Sequence, residues 1–483
     1  MIWTAPRGRP AALAPYLAVL AVVLLGLELQ ATLGVYRANE FYGVAVAWAL
    51  ALGALLVRRR ATLPPLEWML AFGVVVELAA FSLRPATIEL PTLGPLERPA
   101  FAAALVLALA LTLWGLGGER AGRWWFPALV AVHFAIGARI LWLEKSPSID
   151  VFVVEVDAAK ALLSGHNPYA ITFANPYPDN TPFYPPGVVV NGRLPFGFVY
   201  PPLTLLACLP GMVLAGDPRY GLLAAMSGAA LLIGYARPGL APKLAAALFL
   251  FTPSTFYVAD RAWTDPTIVL ATAAVAFAAL RSSRWLFVAI GLYAALKQQM
   301  FIGAPALLLA LPRPLTPRGF AKVVAGALAV AAAVTLPLVL WDPRAFAKSV
   351  LDIREVYRLD SFSLLAHLAN LGIVRLWKWS GLVAIVPVIA LGLWRAPRRP
   401  YGFALLAAAT HFTLYFFSTH AFCNEYYNVL GALCLALALA PKSDEEQRGE
   451  GEKRDEGERQ GDGAERPRAR TVHEREDAAA SEA

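Results

Sequence analysis

The chain has 483 residues, of which 58% are hydrophobic, 11% aromatic and only 16% charged, with a mean hydropathy of +0.55. That balance excludes an ordinary soluble globular protein and predicts an all-α polytopic membrane protein. Three cysteines (Cys208, Cys423, Cys434) give no disulfide framework or zinc spacing, and the six histidines are too scattered for a His-rich metal site.

The net charge of +8 conceals a split. Residues 441–483 carry 9 Lys/Arg and 14 Asp/Glu, leaving 33 and 20 in the rest, so the tail stands at −5 and the remainder at +13. The basic excess is that of membrane-span flanks, not of a nucleic-acid surface. The tail is low in complexity and almost without apolar residues, so it is expected to be a disordered cytoplasmic segment.

In chain order, Ala11–Leu33 reads as a first span, not a cleaved signal. Arg7 and Arg9 place the N-terminus in the cytoplasm by the positive-inside bias. Spans follow near 43–57, 66–82, 99–117 and 125–143, the fifth ending outside. Residues 1–124 thus form a four-span N-terminal segment, 125–440 a second membrane domain, and 441–483 the tail. Residues 144–199 form a long polar outer loop in which 151–164 has a helical pattern, with Gly165 as its stop and Asn-Pro-Tyr as a turn. This predicts an interfacial helix. Residues 201–215 are expected to form a re-entrant or interfacial helix that does not cross, because the later basic clusters at 236–243, 281–284, 311–322 and 394–400 then all fall inside. About 14 transmembrane helices result, in a cell-membrane protein with both termini cytoplasmic.

On this threading, residues 144–199, 260–266, 341–368 and 418–427 share the outer face, with Lys297 and Gln298 beside them. Such an arrangement suits sugar transfer from a lipid-linked phosphosugar. The phosphate is a good leaving group, so one carboxylate can take the acceptor proton while cations hold the phosphate. Asp150 suits the base, Arg261 and Lys297 the phosphate, and Tyr169, Tyr184, Tyr200 and Trp263 a sugar face.

The stretch "DVFVVEVDAAKALLSGHNPYA" (150–170), followed by "FGFVYPPLTLLACLPG" (196–211), resembles the GT-C membrane glycosyltransferases, above all family 87, with family 39 as a neighbour. The likeness rests on Asp150, Leu162, Leu163, Gly165, Asn167, Pro168, Tyr169 and Tyr200 to Leu203, and continues through Trp263, Asp265, Lys297, Gln298 and the segment with His420 and Glu425. It covers about 140–440. The resemblance implies a GT-C-like fold, Asp150 as catalytic base, a polyprenyl-phosphate sugar donor (mannose or a related sugar), and a glycan, lipid or protein acceptor at the outer face. Membrane lipids are the other expected partners; no nucleic acid and no cofactor are expected, and no divalent metal is indicated. Two departures stand out: four extra spans precede the loop, and a second Tyr-Pro-Pro at 184–186 leaves Tyr184 and Tyr200 as alternatives.

Plainer readings compete at each position. Asp150 could cap the helix that follows, and Asp157 could be a solvated face residue instead of a substrate contact. Lys297 could snorkel from a span end. Asp260 and Asp265 could hold a metal or belong to an ordinary polar loop. A transporter or flippase of lipid-linked saccharides is the alternative function, although no internal repeat supports it.

Overall fold

Apolar runs without internal proline dominate the first third of the chain, and each folds as one long helix. The computed structural model describes residues 9–83, 94, 97–178, 183–184, 187–252, 254–351, 360–373, 377 and 379–441. Its first five helices are α1 (Leu13–Thr32), α2 (Ala38–Leu56), α3 (Leu66–Leu83), α4 (Glu97–Gly115) and α5 (Trp125–Leu143). A short strand β1 (Arg9–Ala12) pairs antiparallel with β2 (Arg60–Leu63), Arg9 opposite Leu63.

The second part is more broken. After α6 (Asp150–Leu163) the loop folds back through β3 (Phe173–Ala174) and β4 (Arg193–Leu194), an antiparallel pair with Phe173 opposite Leu194. Then come α7 (Pro202–Ala215), α8 (Arg219–Gly234), α9 (Leu240–Phe251), α10 (Ser254–Asp260), α11 (Asp265–Leu280), α12 (Leu286–Ala294) and α13 (Met300–Ala310). The long α14 (Pro317–Trp341), the short α15 (Pro343–Phe346) and α16 (Leu364–Asn370), and α17 (Ser380–Arg395), α18 (Pro400–Phe416) and α19 (Cys423–Leu439) complete it. Proline opens α7, α11, α14 and α18, where its missing N–H costs no hydrogen bond.

All-α architecture is therefore observed, but not 14 membrane-length helices. Six helices among the described residues are long and apolar enough to cross a membrane: α1 to α5 and α14. Counting α10 and α11, bent by 117° at their break, as one span gives seven. The difference arises because runs of apolar letters do not reveal breaks. Helices of 14, 16, 12, 11 and 16 residues stand at α7, α8, α9, α13 and α17. At 1.5 Å per residue these span about 17–24 Å, short of a hydrocarbon layer of about 30 Å. The long apolar helices suggest membrane association.

The described residues up to Ala440 form one compact unit. The tail expected to be disordered lies, beyond Pro441, outside the described residues. In this unit, backbone contacts define two ends. At one, Leu13 N donates to Arg59 O (3.0 Å), Arg281 reaches Tyr235 O (3.1 Å) and Arg237 reaches Leu439 O (3.0 Å). This is the basic end. At the other, Tyr36 N donates to Asp360 O and Phe362 N to Ala421 O (both 2.8 Å), and Arg219 reaches Glu144 O (2.6 Å). Helix α7 begins and finishes at this second end. Its first turn is tied to Leu296 O through the Thr204 hydroxyl, and Gly211 near its C-terminus lies against the backbone of Gly221 in α8.

Candidate functional site

The site is built at the second end, where α6, the loop after it, the α10–α11 break, the α12–α13 link and the start of α19 meet. Helix α6 occupies Asp150–Leu163, with Ile149 as its N-cap. Gly165 adopts φ +76° to close it, and Asn167 turns the chain by accepting the Tyr169 N–H (2.9 Å).

Asp150 is therefore the first helical residue and caps neither of the next turn's amides. Its Oδ1 accepts from the adjacent Val151 N–H (2.8 Å) and from the Tyr177 phenol (3.0 Å), and its Oδ2 accepts from the Tyr184 phenol. Tyr177 is itself fixed: Asn175 accepts from its N–H (3.2 Å) and donates to its carbonyl (2.9 Å). Asn175-Pro176-Tyr177 thus repeats the Asn-Pro-Tyr turn of 167–169. That repeat was the sequence signal for Tyr177, and the reading passed over it. Burial, then the Asp150 charge, pushes the Tyr184 phenol up, so it stays a hydrogen-bond donor.

The two Tyr-Pro-Pro candidates both belong to the site, on different partners. Tyr184 holds Asp150, while the Lys297 ammonium lies 5.0 Å from the Tyr200 ring centroid. Lys297 is 4% exposed and pairs with Asp265 Oδ2 at 2.9 Å. Asn424 (3.3 Å) and Asn428 (2.7 Å), one helical turn apart on α19, donate to the two Asp265 oxygens. Neither asparagine was anticipated, because their partner lies some 160 residues away. Burial and then the charges of Asp265, Glu155, Asp150 and Glu425 push the Tyr200 phenol up.

Arg219 is a further residue that the sequence reading missed. It is fully buried and gathers Asp217 (2.7 Å), Asp260 (3.3 Å) and Glu144 O (2.6 Å), with its guanidinium 4.7 Å from the Phe152 ring on α6. It fixes the entry of α6 to the α10–α11 break. Arg261 pairs with Asp260 (3.3 Å) and is more open, its side chain 28% exposed.

Other anticipated residues have structural engagements. Tyr169 is buried and donates to Tyr200 O (2.9 Å), and Gln298 donates to Val199 O (3.1 Å) and Val350 O (3.2 Å), bracing the loop. Trp263 packs edge-on against Tyr257 at 5.3 Å. Glu425 accepts the Phe422 N–H (2.9 Å) and lies 3.8 Å from His420. Asp157 is half-buried on α6. Among the described residues, no group of three or more His, Cys, Asp or Glu is arranged to hold a metal.

No protein-family model, curated protein or solved structure matches the chain.

Proposed function

We propose that the protein is an integral membrane glycosyltransferase that moves a sugar from a polyprenyl-phosphate donor to an acceptor hydroxyl. The observation that carries this reading is a carboxylate, Asp150, held by two phenols at the same end of the molecule as a buried ammonium, Lys297, that lies against the Tyr200 ring. The acceptor hydroxyl takes the Tyr184 position on Asp150 and gives its proton to that oxygen. Its oxygen forms the new bond to the anomeric carbon as the carbon–phosphate oxygen bond breaks. The electron pair leaves with the polyprenyl phosphate, whose oxygens Lys297 and Arg261 meet as hydrogen-bond donors. Tyr177 positions the base throughout. The GT-C-like fold, the mannose-like donor and the glycan, lipid or protein acceptor follow from the resemblance of 140–440.

By the positive-inside bias, the basic end faces the cytoplasm and the site the outer face of the cell membrane. A second reading, transport of lipid-linked saccharides, draws on Glu77 and His133, buried on α3 and α5 with no hydrogen-bond partner for any of their polar atoms. Transfer of labelled sugar from a panel of polyprenyl-phosphate sugars, in membranes supplying acceptors, separates the two. The expected result is transfer by wild type and a loss of about 100-fold or more in Asp150→Asn. Equal transfer by both would move the base elsewhere. Movement of the labelled lipid across vesicles without transfer would establish the transport reading.

A further inference from the structure

Five residues after Asp150, Glu155 is fully buried on the face of α6 that packs against α7. Neither of its carboxyl oxygens accepts from an N–H or O–H group, and the weak donor facing them is the Cys208 thiol. The titratable groups facing it are Cys208 from α7, Lys297 from the α12–α13 link, and the phenols of Tyr169 and Tyr200 from the loop. An ionised carboxylate without a strong donor is costly in such a place, whereas the neutral acid is not. Burial accordingly pushes the Glu155 carboxyl up to about 8, against the smaller downward pulls of Cys208 and Lys297.

The charge count around Lys297 depends on that proton. Asp265 already neutralises the ammonium at 2.9 Å and is tied down by Asn424 and Asn428. Glu425 and Asp150 act on the same surroundings, so a further ionised carboxyl would add to their negative charge and repel an anion. A neutral Glu155 adds no charge and offers an O–H that can donate to a phosphate oxygen. We infer that Glu155 is a specificity residue of this site, acting as the neutral acid that lets Lys297 accept a phosphate-bearing ligand. Phosphate affinity is then high while Glu155 keeps its proton and falls as rising pH removes it. The inference rests on the phosphate role proposed for Lys297.

The test is binding of farnesyl phosphate, inorganic phosphate and uncharged farnesol to the purified full chain in detergent, at pH 7.5 and pH 9.5. The second ionisation of the farnesyl phosphate monoester, at about pH 6, is then essentially complete at both values, and the pH dependence is read on that ligand alone. Wild type is expected to bind farnesyl phosphate about tenfold more weakly at pH 9.5. In Glu155→Gln, which cannot ionise, affinity changes less than twofold. Binding of farnesyl phosphate but not inorganic phosphate identifies a lipid headgroup site; comparable binding of both identifies a free-phosphate site, and either agrees with the inference. A flat wild-type profile overturns the Glu155 inference while leaving the transferase reading intact, and it does so even if the variant fails to fold. Equal losses in both proteins assign the effect to Lys297 and also overturn it. No preference for either phosphate over farnesol at pH 7.5 removes the phosphate role of Lys297 itself.

Discussion

Lys297 and Asp265 form an ion pair with almost no access to water, and Asp265 spends its remaining acceptor capacity on Asn424 and Asn428. Removing one partner strands the other charge. Lys297→Met is therefore expected to destabilise the folded chain by about 3–5 kcal/mol, whereas the double variant Lys297→Met/Asp265→Asn should lose less than the single changes added together. Denaturant or thermal unfolding in detergent measures both. At this scale the sequence was partly legible. Asp150, Asp265, Lys297, Tyr184 and Tyr200 stand out as polar letters in apolar surroundings, and the structure brings them together. The roles of Asn167, Tyr169 and Gln298 as braces were not legible, since a side chain that turns its own backbone looks the same in sequence as one that meets a ligand. Arg219 was read as neither, although its burial among Asp217, Asp260 and the end of α5 sets where α6 begins.

The elements are held in register by close backbone approaches. A methyl group placed on Gly211 of α7 would lie 2.4 Å from Gly221 N and 2.8 Å from Asp217 O, both backbone atoms that cannot rotate away. Gly211→Val is thus expected to push α7 off α8 at a cost of about 1–3 kcal/mol and to displace Tyr200 at the other end of α7. Unfolding stability reads the first effect. Loss of farnesyl phosphate binding at pH 7.5, in protein that still elutes as a single folded species, reads the second. The helix expected over 151–164 was legible because Gly165 and the Asn-Pro-Tyr turn mark its end, and it is observed at Asp150–Leu163. The number of membrane-length helices was not. In the second half, helices end at Gly216, at Tyr235 and at the sharp bend before Asp265, so an apolar run of twenty letters can comprise two shorter elements.

For the molecule as a whole, the basic end and the site end stand at opposite ends of α5. Trp124 and Trp142 mark those two levels. They are 18 residues apart, about 27 Å along a helix, and both are exposed with a basic side chain against the ring. All three native cysteines are buried. A membrane-impermeant maleimide applied to intact cells should label Ala170→Cys and should reach Arg398→Cys only after permeabilisation. The opposite pattern would invert the proposed orientation and move the site to the cytoplasmic face.

Gly34, in the turn between α1 and α2, sits so close to Cys423 that a methyl group there would lie 2.2 Å from the Cys423 backbone nitrogen. The first hairpin is thus completed by the last helix. At about 5–20 residues per second, a ribosome needs about 20–80 s to travel from one to the other. Through that interval α1 has no α19 to pack against, so this fold closes late, by contacts of high sequence separation. A chain that stops before Cys423 loses more than its final helix: its beginning never acquires the partner it was shaped to meet.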